Sequence, residues 1–114
     1  MPLGVIRAVG MCGMAAYVIF DVGPSDRDAL KPYLERAFDT LVPHGGKVIA
    51  RTSNIEVREA THGQGWRPTR ILIIEFPSMD AARSWYDSPE YQEILPIRLG
   101  ASKDNMVIVD GLQG

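Results

Sequence analysis

The sequence predicts an α+β domain whose elements run strand, helix, strand, strand, helix, strand. Three observations predict it. The chain has 114 residues, 46% hydrophobic and 23% charged, which is ordinary globular usage and fits one domain. Ile71, Leu72, Ile73 and Ile74 form an unbroken apolar run, the mark of a central strand covered on both faces. Elsewhere apolar residues recur at spacings of three and four, which gather on one face of a helix.

The first strand spans Ala15 to Val22, where Tyr17, Val18, Ile19 and Phe20 are β-branched or aromatic. Gly23-Pro24 ends it, and Ser25 or Asp26 caps the first helix. That helix carries Leu30, Tyr33, Leu34, Ala37, Phe38 and Leu41 as its apolar stripe. Pro32 predicts a late start or a bend, because proline has no amide donor. Pro43-His44-Gly45-Gly46 stops the helix. Lys47 to Arg51 and Ile55 to Arg58 read as one interrupted strand, with a bulge or bend at Thr52-Ser53-Asn54. A loop from Ala60 to Pro68 leads into the third strand, Arg70 to Phe76.

Ser78 caps the second helix, and Ala82, Trp85 and Tyr86 give its apolar face. Ser88-Pro89-Glu90 restarts it: a capping hydroxyl, a proline at the first helical position and an acid in the first turn. Tyr91, Ile94, Leu95 and Arg98 follow, Pro96 kinks or ends the segment, and Gly100 is a stop signal. The last strand is Met106 to Asp110.

This order is the split β-α-β pattern of ferredoxin-like folds. Right-handed crossovers then place both helices on one face of a four-stranded antiparallel sheet. The other face is not polar. Leu72, Ile74 and Phe76 point one way and Ile71 and Ile73 the other, while Val18 and Phe20 oppose Tyr17 and Ile19. Both faces need cover, and the chain has one layer of helices. A homodimer with sheets packed face to face is expected.

Composition excludes several classes. A net charge of -2 and no basic stripe argue against nucleic-acid binding. The lone cysteine, Cys12, forms no intrachain disulfide, and a cytoplasmic protein is expected. Cys12, His44 and His62 cannot build a Cys/His metal cluster, and Glu59-x-x-His62 reads as solvated loop. Neither a metal nor a cofactor is expected. Ala8 to Phe20 is uncharged and follows Arg7, as in a weak signal peptide, but is too short to span a bilayer. Residues 1 to 13 read instead as an extension upstream of a natural start at Met14, disordered or absent in the cell.

Candidate chemistry is sparse. Glu75 stands in an apolar strand, where burial raises a carboxyl pKa and suits it to proton exchange. Its plainer role is to bond a nearby amide, hydroxyl or cation. His44, at a glycine-flanked turn, is the second catalytic candidate, because an imidazole can serve as acid or base near neutral pH. Arg51, Arg70 and Arg98 are forks suited to an anion. Arg70 has an alternative in a salt bridge to Asp21, and Arg98 one on the solvent side of its helix. Trp66, in a loop between Gly65 and Arg67, lids a pocket or anchors a dimer contact. Trp85 and Tyr91 pack helix onto sheet. Arg51, Arg70, Trp66 and Tyr86 make the ligand-binding set. There is no G-x-S-x-G nucleophile motif and no phosphate-cradling glycine loop.

Met14-Ala15-Ala16-Tyr17-Val18-Ile19 resembles the opening of the bacterial family catalogued as domain of unknown function 1330. Glu75-Phe76-Pro77-Ser78-Met79-Asp80-Ala81-Ala82 is similar to its central signature, and Trp85-Tyr86-Asp87-Ser88-Pro89-Glu90-Tyr91-Gln92 to the segment after it. The resemblance covers residues 14 to about 112. It implies a ferredoxin-like fold of the dimeric α/β-barrel type. Relatives on that fold include cofactor-free monooxygenases, lactone isomerases and haem-handling proteins, but fold does not give function. Two functions are therefore carried forward. One is binding or transforming a small organic ligand, with an anion as one option, without a cofactor. The other is a non-catalytic dimeric module whose charges are structural.

Overall fold

The structure, a computed structural model, describes residues 15–112. The expected extension over residues 1–13, with Cys12, lies outside them. Strand β1 is Ala16–Val22, helix α1 Arg27–Leu41, strand β2 Lys47–Thr52, strand β3 Arg70–Phe76, helix α2 Met79–Asp87, helix α3 Pro89–Ala101 and strand β4 Asn105–Asp110. A 3-10 turn, Val42–His44, follows α1. The antiparallel sheet has the order β2-β3-β1-β4. The β-α-β-β-α-β plan holds, with the second helix broken in two at Ser88.

Local chemistry explains the boundaries. Asp26, not Ser25, caps α1, its carboxylate accepting from the Ala29 amide. Pro32 sits inside α1 and does not delay its start. Ser78 accepts from the Ala81 amide and Ser88 from the Tyr91 amide, so each serine opens its helix as expected. Gly100 does not stop α3, which runs on to Ala101. Gly45 takes a φ of 73°, the left-handed turn that reverses the chain into β2.

Ile55 to Arg58 is not a strand. Among the described residues β2 is an edge strand, paired with β3 alone, and it ends at Thr52. The alternating Ile55 and Val57 find no neighbouring strand among those residues, and residues 53–69 form a long connection without helix or strand.

The core lies on the helix side of the sheet. Val18, Phe20, Ile74 and Phe76 pack there against Leu30, Tyr33, Trp85, Tyr91 and Ile94. Trp85 stacks tilted on Phe76 at 5.4 Å and on Tyr91 at 4.3 Å. Its indole N–H donates to Thr40 Oγ1 at 2.9 Å. Alternate residues of the same strands fall on the open face: Tyr17 opposite Glu75, Ile19 between Ile73 and Val107, Asp21 opposite Ile71.

Candidate functional site

Between α1 and the β2–β3–β1 part of the sheet lies an open groove of about 950 Å³, within the range of small-molecule sites. Its floor is apolar: Phe20, Leu72 and Ile74 from the sheet, Leu30, Tyr33 and Ala37 from α1, with Trp85 behind. Leu34 and Phe38, 52% and 63% exposed, extend this lining to the helix side of the mouth. The apolar stripe on α1 is therefore split. Leu30, Tyr33 and Leu41 are core, and Leu34 and Phe38 overhang the groove.

The polar groups of the groove are one-sided in charge. Arg27, Arg51 and Arg70 line it, and no aspartate, glutamate, histidine or lysine does. None of these arginines has an ion-pair partner among the described residues. Strand geometry aims two of them. Arg70 lies opposite Val22, which puts it on the helix side. Arg51 reaches the same side through a bulge. The register slips between Val48 and Ala50, so Arg51 comes opposite Leu72 instead of facing outward.

The same parity corrects the expected Asp21–Arg70 salt bridge. Asp21 faces the open side and Arg70 the helix side, so they cannot meet across the ladder. Asp21 instead accepts the Trp66 indole N–H at 2.8 Å. That bond pins the 53–69 connection to β1. Trp66 is 47% exposed and lies outside the arginine-lined groove.

The remaining candidates do not converge on the groove. Glu75 lies on the open face, accepting the Tyr17 hydroxyl at 3.2 Å and pairing with Lys47 at 3.7 Å. Desolvation and this carboxylate raise the Tyr17 pKa from its ordinary value. His44 ends the 3-10 turn, half-buried, with no side-chain hydrogen bond or ion pair among the described residues. Tyr86 is half-buried on the aromatic cluster, 5.5 Å from Tyr91 and 6.1 Å from Trp85.

Arg98 is buried, at 6% exposure, and not on the solvent side of its helix. The reason is its position on the α3 stripe of Tyr91, Ile94, Leu95 and Ala101, which packs inward. Its Nη1 donates to Asp104 Oδ2 at 3.1 Å, and its Nε to Tyr91 Oη at 3.3 Å. The guanidinium stands 5.1 Å from the centre of the Phe20 ring. Burial works against its charge. Tyr91, Tyr33 and Asp104 outweigh that, and its pKa moves up from the ordinary value. Arg98 is thus taken up by Asp104 beneath the groove and does not join Arg51 and Arg70 at an anion.

Asp104 also accepts the Ser102 hydroxyl at 2.6 Å and the Gly23 amide at 3.0 Å. This laces the turn before α1 to the turn after α3. Asp26 N–H donates to Ala101 at 2.7 Å, and Lys103 N–H to Pro24 at 3.0 Å. The approach is so close that a Cβ on Gly23 would lie 1.9 Å from the Lys103 carbonyl oxygen, so only glycine fits. Gly23 and Ser25 border the groove, so this lacing holds its mouth. Tyr33 completes the network, its hydroxyl 2.8 Å from that of Tyr91. Sequence reasoning missed Asp104, Arg27 and the groove-lining role of Tyr33. The inward stripe on α3 was the available signal for Arg98.

Among the described residues no cluster of histidine, cysteine and acid is placed to hold a metal. No helix there is long and apolar enough to cross a membrane.

Known structures share the architecture. A protein of unknown function from Rhodopseudomonas palustris matches with a TM-score of 0.68 and 17% identity, over 90% of this chain and 85% of its own. A dimeric ferredoxin-like protein of unknown function from Thermobifida fusca matches at 0.54 and 13%, over 87% and 91%. A variant of SnoaB, a cofactor-independent oxygenase from Streptomyces nogalater, matches at 0.56 and 12%, over 90% and 96%. At these identities the likeness is one of fold. No curated protein matches the chain. The model of the family described as Domain of unknown function (DUF1330) matches residues 15–112, almost the whole chain. The expectation raised by its two signature segments holds: the chain is a member of the DUF1330 family.

Proposed function

We propose that the protein is a homodimer whose groove binds a small organic anion with an apolar body. One observation carries the reading: an apolar groove with Arg27, Arg51 and Arg70 on its walls and no acid to neutralise them. Guanidinium forks left unpaired beside an apolar floor suit a carboxylate whose remainder is hydrocarbon or aromatic. These residues bind and orient. Among the described residues, the lining holds no histidine, acid or cysteine.

The open face supports the dimer. Tyr17, Ile19, Ile71 and Ile73 are half-buried there, and Val107 and Val109 are 53% and 37% exposed. An apolar sheet face of this kind marks an interaction surface. The likeness to a dimeric ferredoxin-like protein supports the same assembly. A purely structural role suits Glu75 and Arg98, which are paired within the chain. It does not suit Arg51 and Arg70, which have no ion-pair partner among the described residues.

Calorimetric titration with p-isopropylbenzoate and its uncharged amide tests the reading. The carboxylate should bind about 10-fold tighter or more, as charge-assisted hydrogen bonds imply. Arg51→Ala with Arg70→Ala should erase the difference. Equal binding of acid and amide by the unmodified protein would refute it.

A further inference from the structure

Among the described residues, the phenol protons of Tyr33 and Tyr91 cannot both be placed. Arg98 Nε donates to Tyr91 Oη at 3.3 Å, and the two hydroxyls share one hydrogen bond at 2.8 Å. Neither hydroxyl has another partner among the described residues. Two protons and one phenol–phenol bond leave one proton without an acceptor.

Which proton is left follows from burial and polarisation. Tyr91 is 0% exposed and does not line the groove, so a proton left on it has nowhere to go. The Arg98 guanidinium already donates into Tyr91 Oη, which makes that O–H the stronger donor. At 2.8 Å either hydroxyl can donate, and these two effects favour Tyr91 as the donor to Tyr33. Tyr33 is 7% exposed and lines the groove. Asp104 fixes the head of the chain by holding Arg98 at 3.1 Å. Burial, then Tyr91, raises the Tyr33 pKa far above its ordinary value, so the phenol stays protonated.

We propose that Tyr33 presents its hydroxyl proton to the groove as the hydrogen-bond donor for an uncharged oxygen of the ligand. This rests on the anion-binding reading and narrows it. The ligand is an acid with a carbonyl, ether or hydroxyl oxygen away from its carboxylate. Its carboxylate meets the arginines, and its second oxygen meets Tyr33. Tyr91 and Arg98 are positioning residues that set the direction of the relay.

The matched pair p-acetylbenzoate and p-isopropylbenzoate tests it, since they differ by an oxygen in place of a methyl group. The unmodified protein should prefer the acetyl acid by about fivefold, the worth of one neutral hydrogen bond. Tyr33→Phe should abolish that preference by weakening p-acetylbenzoate more than p-isopropylbenzoate, whereas a merely structural role would weaken both alike. No preference, or a preference that survives Tyr33→Phe, overturns the proposal while leaving the acid-over-amide result standing. A ligand-free measurement decides the matter if neither benzoate binds. With tyrosines isotope-labelled at Cζ, hydroxyl exchange between light and heavy water is read by NMR. The Tyr33 hydroxyl should exchange faster than that of Tyr91, and equally slow exchange of both overturns the proposal.

Discussion

On the helix side of the sheet, Val18, Phe20, Ile74 and Phe76 lie sealed beneath aromatic rings. On the other side, Tyr17, Ile19, Ile71 and Ile73 come from the same strands in strict alternation, yet remain half-exposed. The polar groups differ as well. The covered side holds a buried ion pair, Arg98 with Asp104, at 8% and 4% side-chain exposure. The open side holds Glu75 with Lys47, at 31% and 72%. The first pair is desolvated, so a polar atom near it that is left without a partner is costly. The second is wetted by solvent, which screens it. A charge buried on the covered side is therefore a structural commitment, and one on the open face is nearly free.

The strongest way to break that contrast is Asp104→Ala. It leaves Arg98 charged and buried and removes the acceptor for Ser102 and the Gly23 amide. The expected loss is about 3–5 kcal/mol of unfolding free energy, read by urea denaturation. Replacing Arg98 by methionine in the same chain should recover much of it, because no orphan charge remains. If the single change costs no more than a surface substitution, the pair is not desolvated as the geometry implies.

How much of this was legible in the sequence depended on whether the signal was local. Ser78, Ser88 and Asp26 act within three residues of themselves, and capping shows in a short window. The alternation in β1 and β3 is local too, and it separated the two faces correctly. The groove was not legible, because Arg51 owes its direction to one inserted residue in β2. The Asp21–Arg70 pairing failed for a related reason: nearness across a ladder says nothing about side until the register is fixed. Arg98 lay in plain view on the inward stripe of α3, but its partner sits beyond the helix end. Ile55 and Val57 alternate like a strand, but among the described residues no strand lies beside them.

A second, gentler test uses pH. Burial, then the neighbouring Tyr91, raises the Tyr33 pKa, and burial likewise raises that of Tyr91. Both are protonated when folded and ionise near 10 when unfolded. Their contribution is therefore fully present below the unfolded value and is lost as pH rises above it, toward the folded value. Above about pH 10 stability should fall by about 1.4 kcal/mol per pH unit for each buried phenol. Denaturation midpoints measured on either side of that point check it. Combining Tyr33→Phe and Tyr91→Phe should flatten the part of the slope due to these two groups. The open-face Tyr17, also raised but half-exposed, should contribute less to it.

The smallest expected change in chain stability belongs to the open face. Val107 lies opposite Ile19 and is 53% exposed. Val107→Asp removes no core contact, so the unfolding free energy of the single chain should move by less than about 0.5 kcal/mol. The assembly should respond quite differently. A carboxylate facing a second apolar sheet has no partner, and burying it there costs far more than the valine contributed. Light scattering should show a dimer for the unmodified protein and a monomer for Val107→Asp, with the urea midpoint extrapolated to low protein concentration almost unchanged. A dimer that survives the substitution would move the interface off this face. A monomer that also unfolds readily would mean the open face stabilises the chain directly, and the two sides of the sheet would then differ less than their exposure suggests.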